Sequence, residues 1–259
     1  MIFPMDILHT FILGVVEGVT EFLPISSTGH LILVGELLKI PATNFQKSFD
    51  IIIQLGAILS VIVLYWKTLW NIEVIKKLIV AFIPTGIIGL VFYHIVKTYL
   101  MGNHSIVLWS LLLGGIALII FELWHKESAT TTANITDISY KQAALIGVFQ
   151  SLAIIPGLSR SASTIVGGLI LGLNRTTIVE FSFLLAVPTM IAASGLDLVK
   201  NASSFSMDQF GTLTIGFVTS FVVAIISIKF LLGFIKKHNF IPFGIYRILI
   251  AILFWMVIL

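Results

Sequence analysis

Six uninterrupted apolar stretches restrict what this chain can fold into. They are Phe49–Trp66, Leu78–Val96, Ile106–Trp124, Ile178–Val199, Leu213–Ile235 and Phe243–Leu259. A helix needs about 20 apolar residues to cross the hydrocarbon core of a bilayer, whereas a membrane β-barrel has shorter segments of alternating hydrophobicity. Each stretch is near the length of a spanning helix, so together they predict an all-α polytopic membrane protein with six full transmembrane helices.

The composition agrees with this class. Hydrophobic residues make up 58% of the 259-residue chain and charged residues only 10%. A soluble domain is about 25% charged, so this chain has too little charge to cover a water-facing surface. Cysteine is absent, which excludes disulfides and thiolate metal sites. We expect one integral membrane domain over residues 1–259, surrounded by membrane lipids and without a nucleic-acid partner.

Two further apolar regions are interrupted and cannot cross a membrane as one clean helix. The first, Leu8–Leu38, is broken by Pro24 and a polar run, and the second, Tyr140–Leu173, by Pro156 and another polar run. Backbone that is not helical is tolerated inside a membrane only where it contacts protein or lines a water-filled cavity. Each region is therefore predicted to be a re-entrant pair, in which a helix leads into a polar loop and a second helix turns back.

The two interrupted regions resemble each other, which indicates an internal duplication. GVVEGVTEFLPISSTGHLIL begins at Gly14 and GVFQSLAIIPGLSRSASTIV at Gly147, and we call the shift from the first glycine to the second the repeat offset. The first repeat is placed at about residues 6–126 and the second at about 139–259. Each repeat then holds one re-entrant pair and three spans, and because three is odd, the second repeat is inverted. In many transporters such inverted repeats bring their interrupted helices together near the membrane midplane.

The placement of lysines predicts the orientation. By the positive-inside rule, the side that carries more lysines near the span ends is cytoplasmic, which puts both termini outside. The lysines of that side are Lys67, Lys76, Lys77, Lys126, Lys141, Lys236 and Lys237, and those of the other side are Lys39, Lys47, Lys97 and Lys200.

Few ionisable residues lie within apolar sequence, where each costs at least about 2.5–3.5 kcal/mol and needs a partner or a function. Of these, we expect Asp50, Glu180 and Arg247, together with Gln54, to lock spans together through ion pairs. The whole set is Glu17, Glu21, His30, Asp50, Arg160, Glu180, Asp197 and Arg247.

The first polar loop follows a pair of carboxylates. Glu17 and Glu21 are four residues apart and so share one helix face. Two carboxylates suit Mg²⁺ or Ca²⁺, and they suit a general base equally. The loop itself, Ser26–His30, contains hydroxyls and a histidine, which can activate a serine nucleophile or give a proton to a leaving group. Ser26 is equally well explained as an ordinary helix N-cap.

The second polar loop, Pro156–Thr164, combines a tight turn, four hydroxyl groups and Arg160 ahead of an apolar helix. Backbone N–H groups at a helix start and a guanidinium together bind anions, and the arginine fork suits phosphate oxygens. The two loops together predict phosphoryl chemistry on a lipid-borne substrate, although they fit an anion transporter almost as well.

In these loops the sequence closely resembles the undecaprenyl pyrophosphate phosphatase family of bacitracin-resistance proteins. The family motif Glu/Gln-x-x-x-Glu with a following Pro-x-Ser-Ser-x-Gly-His matches Glu17–Glu21 and Pro24–His30. The motif Pro-Gly-x-Ser-Arg-Ser-x-x-Thr matches Pro156–Thr164. Ala162 departs from the glycine that often follows Ser-Arg-Ser in the family, but it removes no polar group.

The resemblance implies hydrolysis of the polyprenyl lipid undecaprenyl diphosphate to the monophosphate, with a divalent cation, Mg²⁺ or Ca²⁺. This reaction recycles the lipid carrier of peptidoglycan precursors and confers bacitracin resistance. It implies a multi-pass protein of the bacterial inner membrane whose active site opens to the outer face, and it leaves a homodimer open. The alternatives are an inverted-repeat secondary transporter or lipid flippase and, in third place, a structural membrane scaffold.

By motif position, the resemblance also implies roles for individual residues. Ser27 is the suspected nucleophile, His30 its acid or base, and Arg160 the clamp on the diphosphate. Glu17 and Glu21 hold the metal or activate the nucleophile, and a direct attack by water placed by Glu21 is equally compatible with the sequence. The residues expected to bind substrate are Ser26, Ser159, Arg160, Ser161 and Thr164.

Overall fold

The computed structural model describes residues 6–41, 43–100, 103–126, 132, 134–201 and 209–258, the side chains of residues 44, 97, 196–201 and 257–258 excepted. Asp197, Lys97 and Lys200 are thus outside the described side chains, and their expected roles stay predictions. Within this part the chain forms eleven α-helices. They are α1 (Ile7–Thr20), α2 (Ser27–Leu37), α3 (Asn44–Leu64), α4 (Trp66–Leu69), α5 (Ile72–Ile95), α6 (His104–Trp124), α7 (Tyr140–Gln150), α8 (Arg160–Ile170), α9 (Arg175–Asn201), α10 (Phe210–Ile235) and α11 (Ile241–Ile258).

Five helices of the described chain, α3, α5, α6, α9 and α10, are long and apolar enough to cross a membrane. They coincide with five of the six predicted spans. The sixth, α11, is also apolar but has only 18 residues, which reach about 27 Å at 1.5 Å per residue. This is slightly less than the hydrocarbon thickness of about 30 Å. The prediction of an all-α polytopic membrane protein is confirmed.

Both interrupted regions form two short helices that pack against each other, α1 with α2 and α7 with α8. Ser26 and Ser159 precede the second helix of each pair with a positive φ, 74° and 76°. Each is an N-cap whose hydroxyl accepts from the backbone N–H three residues later, Gly29 at 3.4 Å and Ala162 at 3.2 Å. The two serines are separated by the repeat offset, so the same strained backbone occurs at matching places in the two segments. The boundaries of the repeats and their inversion stay predictions.

The short pairs are held in place by close helix contacts between the two halves of the chain. Helix α1 packs against α10, and α7 packs against α5. A Cβ atom on Gly14 would lie 2.9 Å from the carbonyl oxygen of Gly216, and one on Gly147 would collide with the carbonyl oxygen of Ala81. Small residues allow backbones to approach this closely within membranes. Each interrupted region is thus fixed against a spanning helix of the other half.

The expected ion pairs between spans are wrong for the described residues. Asp50 accepts a hydrogen bond from Gln46 on its own helix at 2.8 Å. Arg247 donates to backbone carbonyl oxygens. Neither of them, nor Glu180, takes part in a salt bridge in the part of the chain that the structure describes. Gln54 lines the cavity described below. The position of a charged residue in apolar sequence thus did not reveal whether its partner is an opposite charge, a side-chain amide or a backbone carbonyl.

A buried ion pair is present elsewhere, between two residues that the sequence did not single out. Arg175 at the start of α9 donates through both terminal nitrogens to Glu122 near the end of α6. Glu122 also accepts from the backbone N–H of Phe240 at 3.2 Å, and the guanidinium carbon of Arg175 lies 5.5 Å from the centre of the Phe240 ring. These contacts join α6 and α9 to the start of α11.

Replacing Glu122 by glutamine is expected to lower the free energy of unfolding by about 3–5 kcal/mol, because the charged member of its hydrogen-bonded pair with Arg175 is removed from a buried site. The measurement is the thermal unfolding midpoint of the purified protein in detergent. Glu73→Gln is the matched control, since Glu73 pairs with Lys76 while both side chains are exposed, and such pairs contribute little. Equal midpoints for the two variants would contradict the expectation.

Candidate active site

The polar loops of the two interrupted regions meet each other. The hydroxyl of Ser161 donates to the carbonyl oxygen of Leu23 at 2.8 Å. Nearby, the guanidinium of Arg160 pairs with the carboxylate of Glu21 at 2.8 Å across 139 residues of sequence. The contact that the duplication predicted between the two loops is therefore present, and it brings both sequence motifs to one place.

The carboxylate of Glu21 is the centre of this contact. Its Oε1 accepts from Arg160, and its Oε2 accepts from the hydroxyl of Ser27 at 2.5 Å. Glu21 caps the C-terminus of α1, and Ser27 is the first residue of α2, so the unwound residues between the helices turn the serine back onto the carboxylate. A hydroxyl held by a carboxylate is the arrangement of a nucleophile and its general base.

The guanidinium of Arg160 is only partly used by protein contacts. One terminal nitrogen donates to the carbonyl oxygen of Ser182 at 2.9 Å, the other to Glu21. Its Nε is buried without a hydrogen-bond partner among the described residues, and the side chain is 11% exposed. An arginine with an unused donor beside a cavity is suited to an anionic ligand, because its fork can bind two oxygens of a phosphate group.

A cavity of about 650 Å³ opens in front of these groups. Its wall has a polar part and a larger apolar part. The polar part of the wall consists of residues from the two loops, namely Glu21, Ser26, Ser27, Thr28, Ser159 and Arg160. The apolar part follows α5 and α9 and the turn before α8, and includes Phe82, Gly86, Gly89, Leu90, Ala153, Ile154, Ile155, Met190, Ala192 and Ala193. The site thus suits a ligand with an anionic head and an apolar tail.

Four of the residues predicted for the site do not line this cavity. Ser161 is committed to Leu23, as described above. The hydroxyl of Thr164 contacts the hydroxyl of Ser182 at 2.5 Å and donates to the carbonyl of Ser161 at 3.0 Å. Both are buried and hold the second loop in shape, so the structure does not place them where they would bind phosphate directly. Glu17 and His30 are the other two predicted residues that do not line the cavity.

His30 is turned away from the serine it was expected to activate. Its Nδ1 contacts the carbonyl oxygen of Ser26 at 2.7 Å, and its Nε2 the hydroxyl of Tyr246 at 2.9 Å, with the two rings stacked. Since a carbonyl only accepts, Nδ1 carries a proton and Nε2 of the neutral ring accepts from Tyr246. In this arrangement Glu21, and not His30, is hydrogen-bonded to Ser27, and His30 supports the strained Ser26 backbone.

Glu17 is fully buried in α1, and neither of its carboxylate oxygens has a hydrogen-bond partner among the described residues. Its carboxylate lies close to that of Glu21, so the two together would hold a cation. Within the described residues there is no cluster of three or more His, Cys, Asp or Glu side chains. The protein therefore offers the two carboxylates of Glu17 and Glu21. This set fits Mg²⁺, which is usually bound by one or two carboxylates together with water and substrate phosphates.

Comparison with known families shows to which family the chain is related. The sequence profile of the family described as "Bacitracin resistance protein BacA" matches residues 10–253. The chain belongs to the BacA family. The family resemblance predicted from the two loop motifs is thereby confirmed.

Individual members of the BacA family are similar to this chain over nearly their whole length. A protein named undecaprenyl-diphosphatase from Sulfurihydrogenibium sp. is 52% identical over 252 residues, 97% of this chain and 99% of the relative. One of the same name from Wolinella succinogenes is 53% identical over 251 residues, 96% and 97% of the two chains. Another from Methanococcus aeolicus is 46% identical over 253 residues, 97% and 98% of the two chains.

The BacA-family site also contains polar residues that the sequence did not indicate. The amide nitrogen of Gln150 donates to the hydroxyls of Thr85 at 2.9 Å and Thr189 at 3.2 Å, and all three line the cavity. The amide oxygen of Gln150 is buried without a partner among the described residues. Gln150 is the counterpart of Glu17 at the repeat offset, so alignment of the two repeats was a signal for it. Thr85 and Thr189 lie in apolar spans and carry no such signal.

Proposed function

We propose that this chain is an undecaprenyl-diphosphatase, which hydrolyses undecaprenyl diphosphate to undecaprenyl phosphate and inorganic phosphate. The observation that carries the proposal is the shared carboxylate: Ser27 and Arg160 both contact Glu21 at the polar end of one cavity. A serine held by a base next to a guanidinium suits phosphoryl transfer. The name of relatives that are about 50% identical supports the same substrate.

The substrate fits the cavity in one direction. Its diphosphate lies at the polar end, where Ser27, Ser159 and the guanidinium of Arg160 line the cavity. Its prenyl chain extends along the apolar wall, which includes the exposed side chain of Leu90 and so reaches the lipid-facing surface of α5.

Catalysis by the residues of the chain follows from the contacts of Glu21. As the bond from the Ser27 oxygen to the terminal phosphorus forms, the hydroxyl proton passes to Glu21 and the bridging P–O bond breaks. Undecaprenyl phosphate leaves, and Arg160 stabilises the charge on the transferred group. Water then attacks the phosphoserine as the bond from phosphorus to the serine oxygen breaks, Glu21 returns its proton to that oxygen, and inorganic phosphate leaves with both protons of the water. Attack by a water molecule bound to Glu21 gives the same products in one step.

A divalent cation, Mg²⁺ or Ca²⁺, is expected as the cofactor, with Glu17 and Glu21 as the protein ligands. When bound, such an ion supplies positive charge that stabilises the transferring phosphoryl group. The free oxygens of Glu17 support this assignment.

The cavity is expected to open to the outer face of a cell membrane. Its residues on α5 run from Phe82 to Tyr93, away from Lys76 and Lys77 near the start of that helix, which the distribution of lysines assigns to the cytoplasm. An enzyme placed there recycles the lipid carrier where the carrier is released during peptidoglycan synthesis, and it confers bacitracin resistance. A homodimer stays a prediction from the family resemblance.

The function is tested by phosphate release from a long-chain isoprenyl diphosphate by the purified protein in detergent. We expect release in the presence of Mg²⁺ or Ca²⁺, its loss with EDTA, and its return when the cation is added again. Glu21→Gln is the matched control, because it keeps the size of the side chain and removes the base. A secondary transporter or flippase without hydrolase activity would release no phosphate at any cation concentration, and that result would refute the proposal.

A further inference from the structure

Arg247 in α11 is fully buried and has no carboxylate partner in the described part of the chain. Its guanidinium donates to four backbone carbonyl oxygens. The terminal nitrogen Nη2 reaches Ser110 at 3.0 Å and Gly157 at 3.1 Å, Nη1 reaches Pro24 at 3.4 Å, and Nε reaches Leu111 at 3.4 Å. A guanidinium has five N–H donors in a rigid fork, and here the fork is filled by main chain from three separate parts of the protein.

Two of these carbonyls belong to the loops that carry the site. Pro24 lies between Glu21 and Ser27 in the first loop, and Gly157 lies shortly before Arg160 in the second. The two are separated by the repeat offset, which makes them equivalent positions of the repeated segments. Arg247 therefore connects the same point of both loops, and it does so from outside the cavity, since it is not among the cavity-lining residues.

The counterpart of Arg247 at the repeat offset is Gly114 in α6. The guanidinium lies against this glycine: a Cβ on Gly114 would be 2.8 Å from Cζ of Arg247 and 3.3 Å from Nη1. One repeat thus supplies an arginine and the other the space it fills. The two acceptors in α6, Ser110 and Leu111, likewise correspond to Phe243 and Gly244 in α11.

A buried charge without a counter-ion is an expensive way to pack two helices, because an apolar side chain of similar volume would do so without desolvating a guanidinium. What an apolar side chain cannot do is bind carbonyl groups of two unwound loops at once. The distance between those loops determines whether Glu21, which contacts Ser27 within the first loop, also reaches Arg160 in the second.

We propose that Arg247 is a positioning residue of the active site. By binding the carbonyls of Pro24 and Gly157, it holds the two loops at the separation in which one carboxylate contacts the nucleophile and the phosphate-binding arginine. The inference rests on the proposed function, and it concerns the rate of the chemical step rather than the affinity for the lipid.

The first test compares Arg247→Met and Arg247→Lys in phosphate release from an isoprenyl diphosphate. We expect kcat to fall on the order of 100-fold in the methionine variant, as for a misplacement of about 1 Å between reacting groups, with KM changed less than about threefold. Lysine keeps the charge but lacks the fork, so we expect it to restore little of the rate. Arg175→Met is the matched control for loss of a buried arginine, and it should lower the thermal midpoint and leave kcat unchanged.

The second test moves the guanidinium to the other repeat. In the double variant Arg247→Gly with Gly114→Arg, the new arginine starts from the equivalent position of α6, where a Cβ atom is directed at the place that the Arg247 guanidinium occupies. We expect this variant to recover at least about a third of the wild-type kcat. Gly114→Ala alone displaces the guanidinium of Arg247 and should lower kcat about tenfold. Recovery of the thermal midpoint without recovery of kcat would indicate a structural role alone and would overturn the proposal.

Each result bears on the proposal. A folded Arg247→Met variant with wild-type kcat, or recovery of full kcat by lysine, would overturn it. If variants at position 247 do not fold, Gly114→Ala decides, and an unchanged kcat in this variant would show that Arg247 serves stability alone. Wild-type protein that releases no phosphate would refute the proposed function instead, so the two failures are distinguishable.

Discussion

Replacing Arg160 by alanine is expected to lower the rate of phosphate release from an isoprenyl diphosphate by about a thousandfold, the scale on which arginines that stabilise a transferring phosphoryl group act. Two effects contribute. The positive charge of the Arg160 guanidinium is lost from the wall of the cavity, and the carboxylate of Glu21 loses its partner at 2.8 Å. The measurement is kcat and KM of the purified variant in detergent, normalised to folded protein.

Arg160→Ala also removes the ion-pair partner of Glu21 and thereby affects stability. This effect on stability needs its own control. Removing one member of a buried ion pair costs about 3–5 kcal/mol, which the thermal midpoint will register. Arg160→Lys keeps a positive charge next to Glu21 but lacks the fork that binds two phosphate oxygens. Compared with Arg160→Ala, the lysine variant should therefore recover more of the stability than of the activity. Lys76→Ala, a change at an exposed side chain that does not line the cavity, is expected to alter neither. Activity of Arg160→Ala within tenfold of wild type would contradict the assignment.

Replacing Ser27 by alanine is expected to abolish measurable turnover, a loss of at least about a thousandfold, as for other enzymes whose nucleophile is removed. The physical reason is the hydrogen bond of 2.5 Å from the serine hydroxyl to Glu21, which places the hydroxyl where its proton can be accepted as the bond to phosphorus forms. The direct measurement is a phosphoserine at Ser27, trapped by rapid acid quenching of wild-type protein with substrate labelled in the terminal phosphate.

Ser163→Ala is the matched control for Ser27→Ala. Ser163 is also a buried serine, but its hydroxyl donates to the backbone carbonyl of Ser159 at 2.9 Å, and it is not part of the proposed chemistry. It should retain normal turnover. Full activity of Ser27→Ala without a trapped intermediate would instead assign the attack to a water molecule bound to Glu21, and the carboxylate would keep its role as general base.

The residues of the site were largely predictable, but their partners were not. The sequence left open whether His30 or Glu21 activates Ser27. The structure shows only which group the serine contacts: α1 ends at Thr20 and α2 begins at Ser27, so the unwound residues bring Glu21 back to the serine hydroxyl. His30 lies one turn further along α2, where its ring contacts the carbonyl of Ser26 and Tyr246.

For the hydroxyls of the second loop, too, the sequence indicated the residues but not their partners. By motif position, the family resemblance implied that Ser161 and Thr164 bind phosphate. Their orientation around the axis of α8 turns them toward Leu23 and Ser182 instead. Ser159, the N-cap of that helix, is left at the cavity together with Arg160. Which side of a helix meets a neighbouring helix depends on packing between distant segments.

The sequence by itself determined the membrane class, five of the long spans, the two interrupted helices and the family, because apolar length and helix-breaking residues act locally along the chain. Only the tertiary structure decided that one carboxylate, Glu21, contacts both Ser27 and Arg160, and that Arg247 binds carbonyl groups rather than an acid. Those partners lie up to 223 residues apart, and backbone carbonyls are present at every position. No pattern of side chains in the sequence distinguishes the carbonyls that a buried arginine will bind.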